Sequence, residues 1–289
     1  MPNSLLPNIK RHVSRVLSRA CVVLMVLFIS GCSTFSFIFE RLDWFAIWRI
    51  DNMFDLSENQ EDQLQPDLIA LQQWMRKEGF PETISRLEVL LELWDADKPE
   101  SAYRYLVSSM DSLNSLYLNA INAGTVKFSM RLTEENAREY REYSNEEQEN
   151  WFDSTRSLEA SIDNETERFE KWFGHLNDKQ ITLIVDGSSL TENERQIRID
   201  NHLSWREAYL KAAINRNAPL IRAWLGDLSI FWTPEYTMLK QHNSQQRQAL
   251  VMALLPTLTL KQKRHAREEV EDWIEILRDE LPEGQNPDT

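Results

Sequence analysis

Residues 101–121, SAYRYLVSSMDSLNSLYLNAI, decide the fold class. Tyr103, Leu106, Val107, Met110, Leu113, Tyr117 and Ile121 recur at intervals of three and four, which places them on one face of a helix. Upstream, Ile84, Leu87, Leu90, Leu91 and Trp94 repeat the pattern. The 7 glycines in 289 residues are few against a usual share of about 7%. The chain therefore reads as all-α, an elongated multi-helix bundle. Pro81 and Pro99 suit first-turn positions, where a missing N–H costs nothing, and Gly79 and Gly124 are expected breaks.

No proline or glycine interrupts residues 133–173, where Trp151, Leu158, Ile162, Phe169, Trp172 and Phe173 keep the helical rhythm. One long helix of about 40 residues, roughly 60 Å, is expected there. It is acidic: Glu134 to Glu170 carries thirteen acids and four arginines, and Gly174 is its natural stop. Shorter helices are expected at Asp178–Asp186, Glu192–Asn217, Leu220–Trp232, Pro234–Leu255 and Leu260–Leu281. Here the charge inverts, with Lys240, Arg247, Lys261, Lys263, Arg264 and Arg267 and no acid between the first and the last. Either these cations complement the acidic region within one body, or they face an anionic envelope polymer or lipid surface.

Four units share one pattern: Leu56-Ser57-x-x-Gln60, Leu176-Asn177-x-x-Gln180, Leu190-Thr191-x-x-Glu194 and Leu258-Thr259-x-x-Gln262. A small polar residue followed three positions later by Gln or Glu is the chemistry of a capping box. Leu132-Thr133-x-x-Asn136 is a weaker fifth, and all five read as helix starts.

The first 31 residues read as a lipoprotein signal peptide. Lys10, Arg11, Arg15 and Arg19 precede the apolar run Ala20 to Phe28, and Ile29-Ser30-Gly31-Cys32 closes it. Cleavage between Gly31 and Cys32 would leave Cys32 as the acylated first residue of a helical periplasmic domain, residues 32–289. The alternative, an uncleaved anchor, has too short an uninterrupted run for the ~20 residues that spanning requires. Ser33 rather than aspartate after the cysteine favours the periplasmic face of the outer membrane. Because residues 1–31 carry four cations and no acid, the net charge of −14 becomes −18 on their removal. Nucleic acid is thus an unfavourable partner. Cys21 leaves with the leader and Cys32 is acylated, so no free thiol remains for disulfide, metal or nucleophile.

Other chemistry is equally sparse. His175, His202, His242 and His265 show no metal-ligand spacing, and no metal or cofactor other than the lipid is expected. Gly187-Ser188-Ser189-Leu190-Thr191 lacks both the nucleophile-elbow and phosphate-loop patterns. Asp51/Asp55 and Asp163/Glu167 share helical faces, yet such pairs arise by chance among 46 acids. The protein is therefore expected not to be an enzyme.

The capping units resemble the LTxxQ motif of Spy-like and CpxP-like periplasmic chaperones, matched in full by Leu258 to Gln262 alone. A wider likeness runs through Phe39-Glu40-Arg41-Leu42-Asp43-Trp44, Asp51, Asp55-Leu56, Arg168 to Leu176 and Trp205-Arg206. It resembles a proteobacterial lipoprotein family classed as a domain of unknown function. That family places tyrosine where Phe39 stands, and the resemblance implies a helical lipoprotein without naming an activity. Arg41, Asp43, Trp44, Asp51 and Asp55 are its candidate interaction or structural motif.

Only Ser33 and Thr34 separate Cys32 from the aromatic segment Phe35 to Phe54, a reach of about 7 Å. Phe35, Phe37, Ile38, Trp44, Phe45 and Trp48 either enter the lipid interface or form a central helix of the bundle, and the interleaved charges favour the latter. Trp74, Trp94, Trp151, Trp172, Trp205, Trp224, Trp232 and Trp273 are expected to be buried, whereas a chaperone would expose several in one concave patch. The functional expectation is a lipid-anchored, non-catalytic envelope interaction or scaffold protein with an envelope protein as partner; the alternatives are a chaperone-like stress factor and an enzyme.

Overall fold

A computed structural model describes residues 32–154, 158–187 and 191–282. The leader (residues 1–31), the junction 155–157 of the long acidic region and Leu190 lie outside the described residues. Among the described residues every regular element is helical: α1 (Cys32–Glu40), α2 (Leu42–Phe54), α3 (Glu58–Trp74), a π turn (Met75–Gly79), α4 (Phe80–Asp95), α5 (Pro99–Ser129), α6 (Glu134–Ser154), α7 (Leu158–Phe173), α8 (Asp178–Gly187), α9 (Glu192–Ile214), α10 (Ala218–Gly226), a 3-10 turn (Leu228–Phe231), α11 (Pro234–Leu254), another 3-10 turn (Leu255–Thr257) and α12 (Leu260–Arg278). None of these helices is long and apolar enough to cross a membrane.

The interval expected to form one long acidic helix holds α6 and α7, and its continuity falls on residues 155–157, outside the described residues. The two halves serve different neighbours, since α6 packs on α2 and α9 whereas α7 packs on α8 and α12. The longest described helix is instead α5, 31 residues or about 46 Å.

Two expected breaks are absent. Gly124 lies inside α5, where a Cβ would stand 3.3 Å from Asp67 Cβ, so its smallness lets α3 and α5 approach. Gly79 lies in the π turn that joins α3 to α4, packed against Trp74 and Tyr117. Pro81 can donate no N–H to the helix ladder, and the widened turn just before it keeps the chain helical from Glu58 to Asp95. Pro66 is likewise accommodated within α3.

Three apolar clusters form the core. The first joins Phe54, Leu56, Leu64, Val126, Leu132 and Tyr140 to Tyr209, Leu210 and Ile221. The second gathers Phe169, Leu176, Ile184, Leu250, Leu254 and Leu258. The third packs Phe39 of α1 against Phe80 and Ile84 of α4 and Val270, Ile274 and Leu277 of α12.

The capping units account for the first two clusters. Gln60 and Asn136, three residues into α3 and α7's neighbour α6, face each other. Gln60 Nε2 donates to the Arg131 carbonyl (3.0 Å) and to Asn136 Oδ1 (2.8 Å), while Asn136 Nδ2 donates to the carbonyls of Phe54 (2.8 Å) and Asp55 (2.9 Å). Gln180 and Gln262 do the same at the starts of α8 and α12. Their amides exchange bonds of 3.0 and 2.9 Å, Gln180 Nε2 reaches the Thr257 carbonyl (3.2 Å) and Gln262 Nε2 the His175 carbonyl (2.9 Å).

In each unit the same amide oxygen accepts from the backbone N–H of its own cap. One side chain thus starts its helix and ties it to a second start. The leucines of the paired units, Leu56 with Leu132 and Leu176 with Leu258, fill the cores beneath. Asn136, in the weakest of the five sequence units, is a full member of a clasp. Thr191 and Glu194 instead form a box at the start of α9 that meets no second capping unit.

The loops that enter the clasps are specialised. Asp55 has φ of +49° and Gly174 φ of +68°, each just ahead of a clasp leucine. Asp51 holds the first loop by accepting from the Leu56 N–H at 2.8 Å. Charge complementarity is partly internal: Arg247 reaches Glu165 of the acidic region at 2.8 Å, while Lys263 pairs with Asp97 (2.7 Å) and Arg267 with Asp95 (2.9 Å) at the α4–α5 corner.

Asn136→Ala would strip partners from three backbone carbonyls or N–H groups at once, and each buried unpaired group costs about 1–3 kcal/mol. Urea unfolding is expected to show a loss of roughly 2–4 kcal/mol for Asn136→Ala and of about 1 kcal/mol or less for Thr191→Ala, an ordinary exposed cap. Equal losses would contradict the distinction between clasped and free boxes.

Candidate functional site

The first clasp holds α2, α3 and α6 together, and α9 and α10 close against them. Between these elements and the start of α11 opens a cleft of about 700 Å³, within the ~300–1,000 Å³ range of ligand sites. Its walls are aromatic. Trp205 of α9 and Trp224 of α10 lie 5.4 Å apart, and Trp205 stacks on Tyr209 at 5.8 Å and on the His202 ring at 6.0 Å. Trp232 meets Tyr236 edge-on at 5.4 Å, and Tyr140, Tyr143 and Trp151 supply the α6 side. Beneath them Tyr209 is pushed up to about 12 by burial, so it stays neutral while its hydroxyl bonds that of Ser129 at 2.9 Å.

The tryptophans expected to be buried are mostly half-buried instead, and four of the eight line this one cleft. Trp172 is an exception, 41% exposed on α7.

Polar groups are set into the aromatic walls. Tyr143 Oη, Gln148 Oε1, Arg198 Nε and Trp224 Nε1 are all buried, and none has a hydrogen-bond partner among the described residues. All four residues line the cleft. Buried polar atoms are almost always paired, so four unpaired ones around a single cavity mark it as more than a packing gap. At the mouth, the Arg49 guanidinium lies over the Tyr143 ring, 5.3 Å from its centroid.

Deeper in, Ser144 Oγ and His202 Nε2 are 2.7 Å apart, the spacing of a nucleophile and its base. The surroundings do not complete that chemistry. Ser144 is a buried mid-helix residue of α6, where neighbouring backbone N–H groups are consumed by the helix ladder and cannot form an oxyanion hole. Its oxygen also accepts from Arg206 Nη1 at 3.4 Å, whose main partner is Asn145 Oδ1 at 2.7 Å. The buried Arg206 is further held by Glu207, whose carboxyl lies below its ordinary range because Arg141, and then Arg206, bond it. Ser144, His202, Asn145 and Arg206 therefore position one another.

The motif residues taken from the sequence lie elsewhere. Arg41 is exposed with its guanidinium 5.3 Å from the Phe37 ring centroid, and Asp43 accepts from Gln65 Nε2 at 2.9 Å. The Asp51 carboxylate and the Asp55 backbone carbonyl both shape the first clasp's loop. Asp163 and Glu167 are exposed on α7. Among the described residues, no three His, Cys, Asp or Glu side chains converge as metal ligands would.

The aromatic segment divides between an inward and an outward face. Phe35 and Phe39 turn inward on Phe80 and Trp273. Phe37 (54% exposed), Ile38, Trp44 (59%) and Trp48 (54%) turn outward as one ridge along α1 and α2. The ridge follows within five residues of Cys32.

Sequence reasoning singled out the cleft's tryptophans but not Tyr143, Gln148 or Arg198. These sit on polar helix faces whose exposure cannot be told from periodicity alone.

The chain belongs to a family of unknown function, DUF6279, whose model matches residues 52–237. The matched span takes in every cleft-lining residue except Arg49. No curated protein and no solved structure matches the chain.

Burial, and then the Arg206 charge, hold His202 below the ordinary histidine value of 6.5. The folded chain therefore binds fewer protons there than the unfolded chain, and His202 contributes stability that is complete above pH 6.5 and lost as pH falls through its lower folded value. Urea unfolding between pH 7.5 and 5 is expected to show a shallower acid-side decline for His202→Gln than for the native chain. Identical slopes would show that His202 protonates freely.

Proposed function

We propose that this protein is a lipid-anchored, non-catalytic binding protein of the bacterial envelope, whose helical body presents the aromatic cleft to an envelope component close to the membrane. The observation that carries this reading is the set of four buried, partnerless polar atoms in the cleft walls. A packed scaffold has no use for such groups, since each is destabilising until something binds. The place of Ser144 in mid-helix, where the neighbouring backbone N–H groups are spent in the helix ladder, supports binding over turnover.

Anchoring is supported by the lipobox ending at Cys32 and by the ridge of Phe37, Ile38, Trp44 and Trp48 that follows it. Aromatic rings interleaved with Arg41 suit the headgroup level of a bilayer. With the acyl chains on Cys32, the ridge would lie against the outer membrane's periplasmic leaflet and the cleft would be held at a fixed distance from it.

In-cell photocrosslinking from a reactive residue at Trp232, combined with membrane fractionation, tests the reading. The native chain is expected in the outer-membrane fraction with a captured envelope component, and Cys32→Ala is expected to lose both. An intact leader by mass spectrometry, or no captured component in either form, would overturn it.

A further inference from the structure

The chemistry of the cleft goes further than its being a binding site, and on that reading it selects a class of ligand. We propose that the cleft binds a carboxylate-bearing oligosaccharide.

Flat aromatic faces at several angles suit the C–H-rich faces of pyranose rings, and the Trp205–Trp224 pair crosses at 52° while Trp232 and Tyr236 stand nearly perpendicular at 88°. Sugars also carry hydroxyl groups around their rims. Such groups would answer the unpaired Trp224 Nε1 and Arg198 Nε donors, the Gln148 Oε1 acceptor and the Tyr143 hydroxyl, which serves either way.

Competing ligands fit less well. An acyl chain would leave all four polar atoms buried and unpaired, at a cost for each. A phosphate would also pair with arginine, but no glycine or lysine lines the cleft to add the backbone cradle or point charge on which phosphate sites commonly draw. The two cleft guanidinium groups, Arg49 and Arg198, supply planar forks that a carboxylate matches. Neither has an acidic ion-pair partner among the described residues, and Glu147 is the one acid on the cleft's lining, leaving a local excess of one positive charge in a chain of net charge −14. Selectivity for the acidic sugar thus rests on these two side chains rather than on the protein's overall field.

The same carboxyl-sugar chemistry occurs in free wall-derived disaccharides and in acidic polysaccharide, and two probes separate these sources. Full-length acylated protein in detergent micelles would be titrated, by tryptophan fluorescence and calorimetry, with N-acetylglucosaminyl-N-acetylmuramic acid, trigalacturonic acid, neutral chitotriose and an acidic hexapeptide. Saturable quenching by either acidic saccharide, at least tenfold tighter than chitotriose, is the expected result, and which of the two binds more tightly identifies the source. Arg198→Gln should abolish the preference over chitotriose. Trp224→Phe and Tyr143→Phe should weaken binding about fivefold or more.

Tyr143→Phe supplies a readout that a purely structural role would not give. It deletes an unpaired buried oxygen, so its Tm should hold or rise while affinity falls. Equal binding of chitotriose would overturn the carboxylate assignment, and binding of the hexapeptide alone would overturn the saccharide assignment. If no probe bound while in-cell capture from Trp232 succeeded, the ligand class would be wrong and the binding reading would stand; failure of both would remove the two together.

Discussion

Two amide pairs, the half-buried Gln60 with the buried Asn136 and the fully buried Gln180 with Gln262, are the constraint on which the rest of the structure depends. A helix start carries backbone N–H groups without intrahelical partners, and a loop buried beside it carries unpaired carbonyls. Each pair meets both demands with the same side chains, the oxygen closing its own helix cap and the nitrogen bonding the carbonyl ahead of the partner's leucine. Gln180, Gln262 and Asn136 are almost fully buried, where a lone amide would be costly. The reciprocity makes that burial favourable and fixes the register of helices some eighty residues apart.

From these clasps follow the core clusters and then the cleft. The first clasp sets α3 against α6 with Leu56 and Leu132 beneath it. That placement turns Tyr140 and Tyr143 of α6 toward the tryptophans of α9 and α10. The second clasp seats α8 against α12 on the other cluster, and α12 in turn covers the inward face of α1. The outward ridge of α1 and α2 is thereby held on a folded support rather than on a flexible tether. Binding groups and proposed membrane-facing groups stand on one disulfide-free frame, whose uniqueness comes from polar pairing within an otherwise apolar interior.

Much of the fold was legible in the sequence because its signals are local. Apolar spacing and capping residues placed most helices to within a few residues, as at Asp178, Glu192, Pro234 and Leu260. What local pattern could not convey was pairing. Each capping unit looked complete in itself, so nothing distinguished Gln180, which reaches the amide of a second capping unit, Gln262, from Glu194, which closes its own cap without meeting another. Gly79 and Gly124 looked like breaks because the helices that press against them are remote in sequence. The cleft was half legible: its tryptophans stand out in composition, whereas Tyr143 and Gln148 of α6 and Arg198 of α9 acquire meaning only when the two helices bring them to one cavity.

A double-mutant cycle between Gln180 and Gln262, measured by urea unfolding of Gln180→Ala, Gln262→Ala and the double variant, tests the central claim most directly. The clasp predicts strong coupling, with the double variant losing at least about 1 kcal/mol less than the two single losses combined. Additivity within about 0.5 kcal/mol would show that the two amides act as separate caps, and would contradict the account.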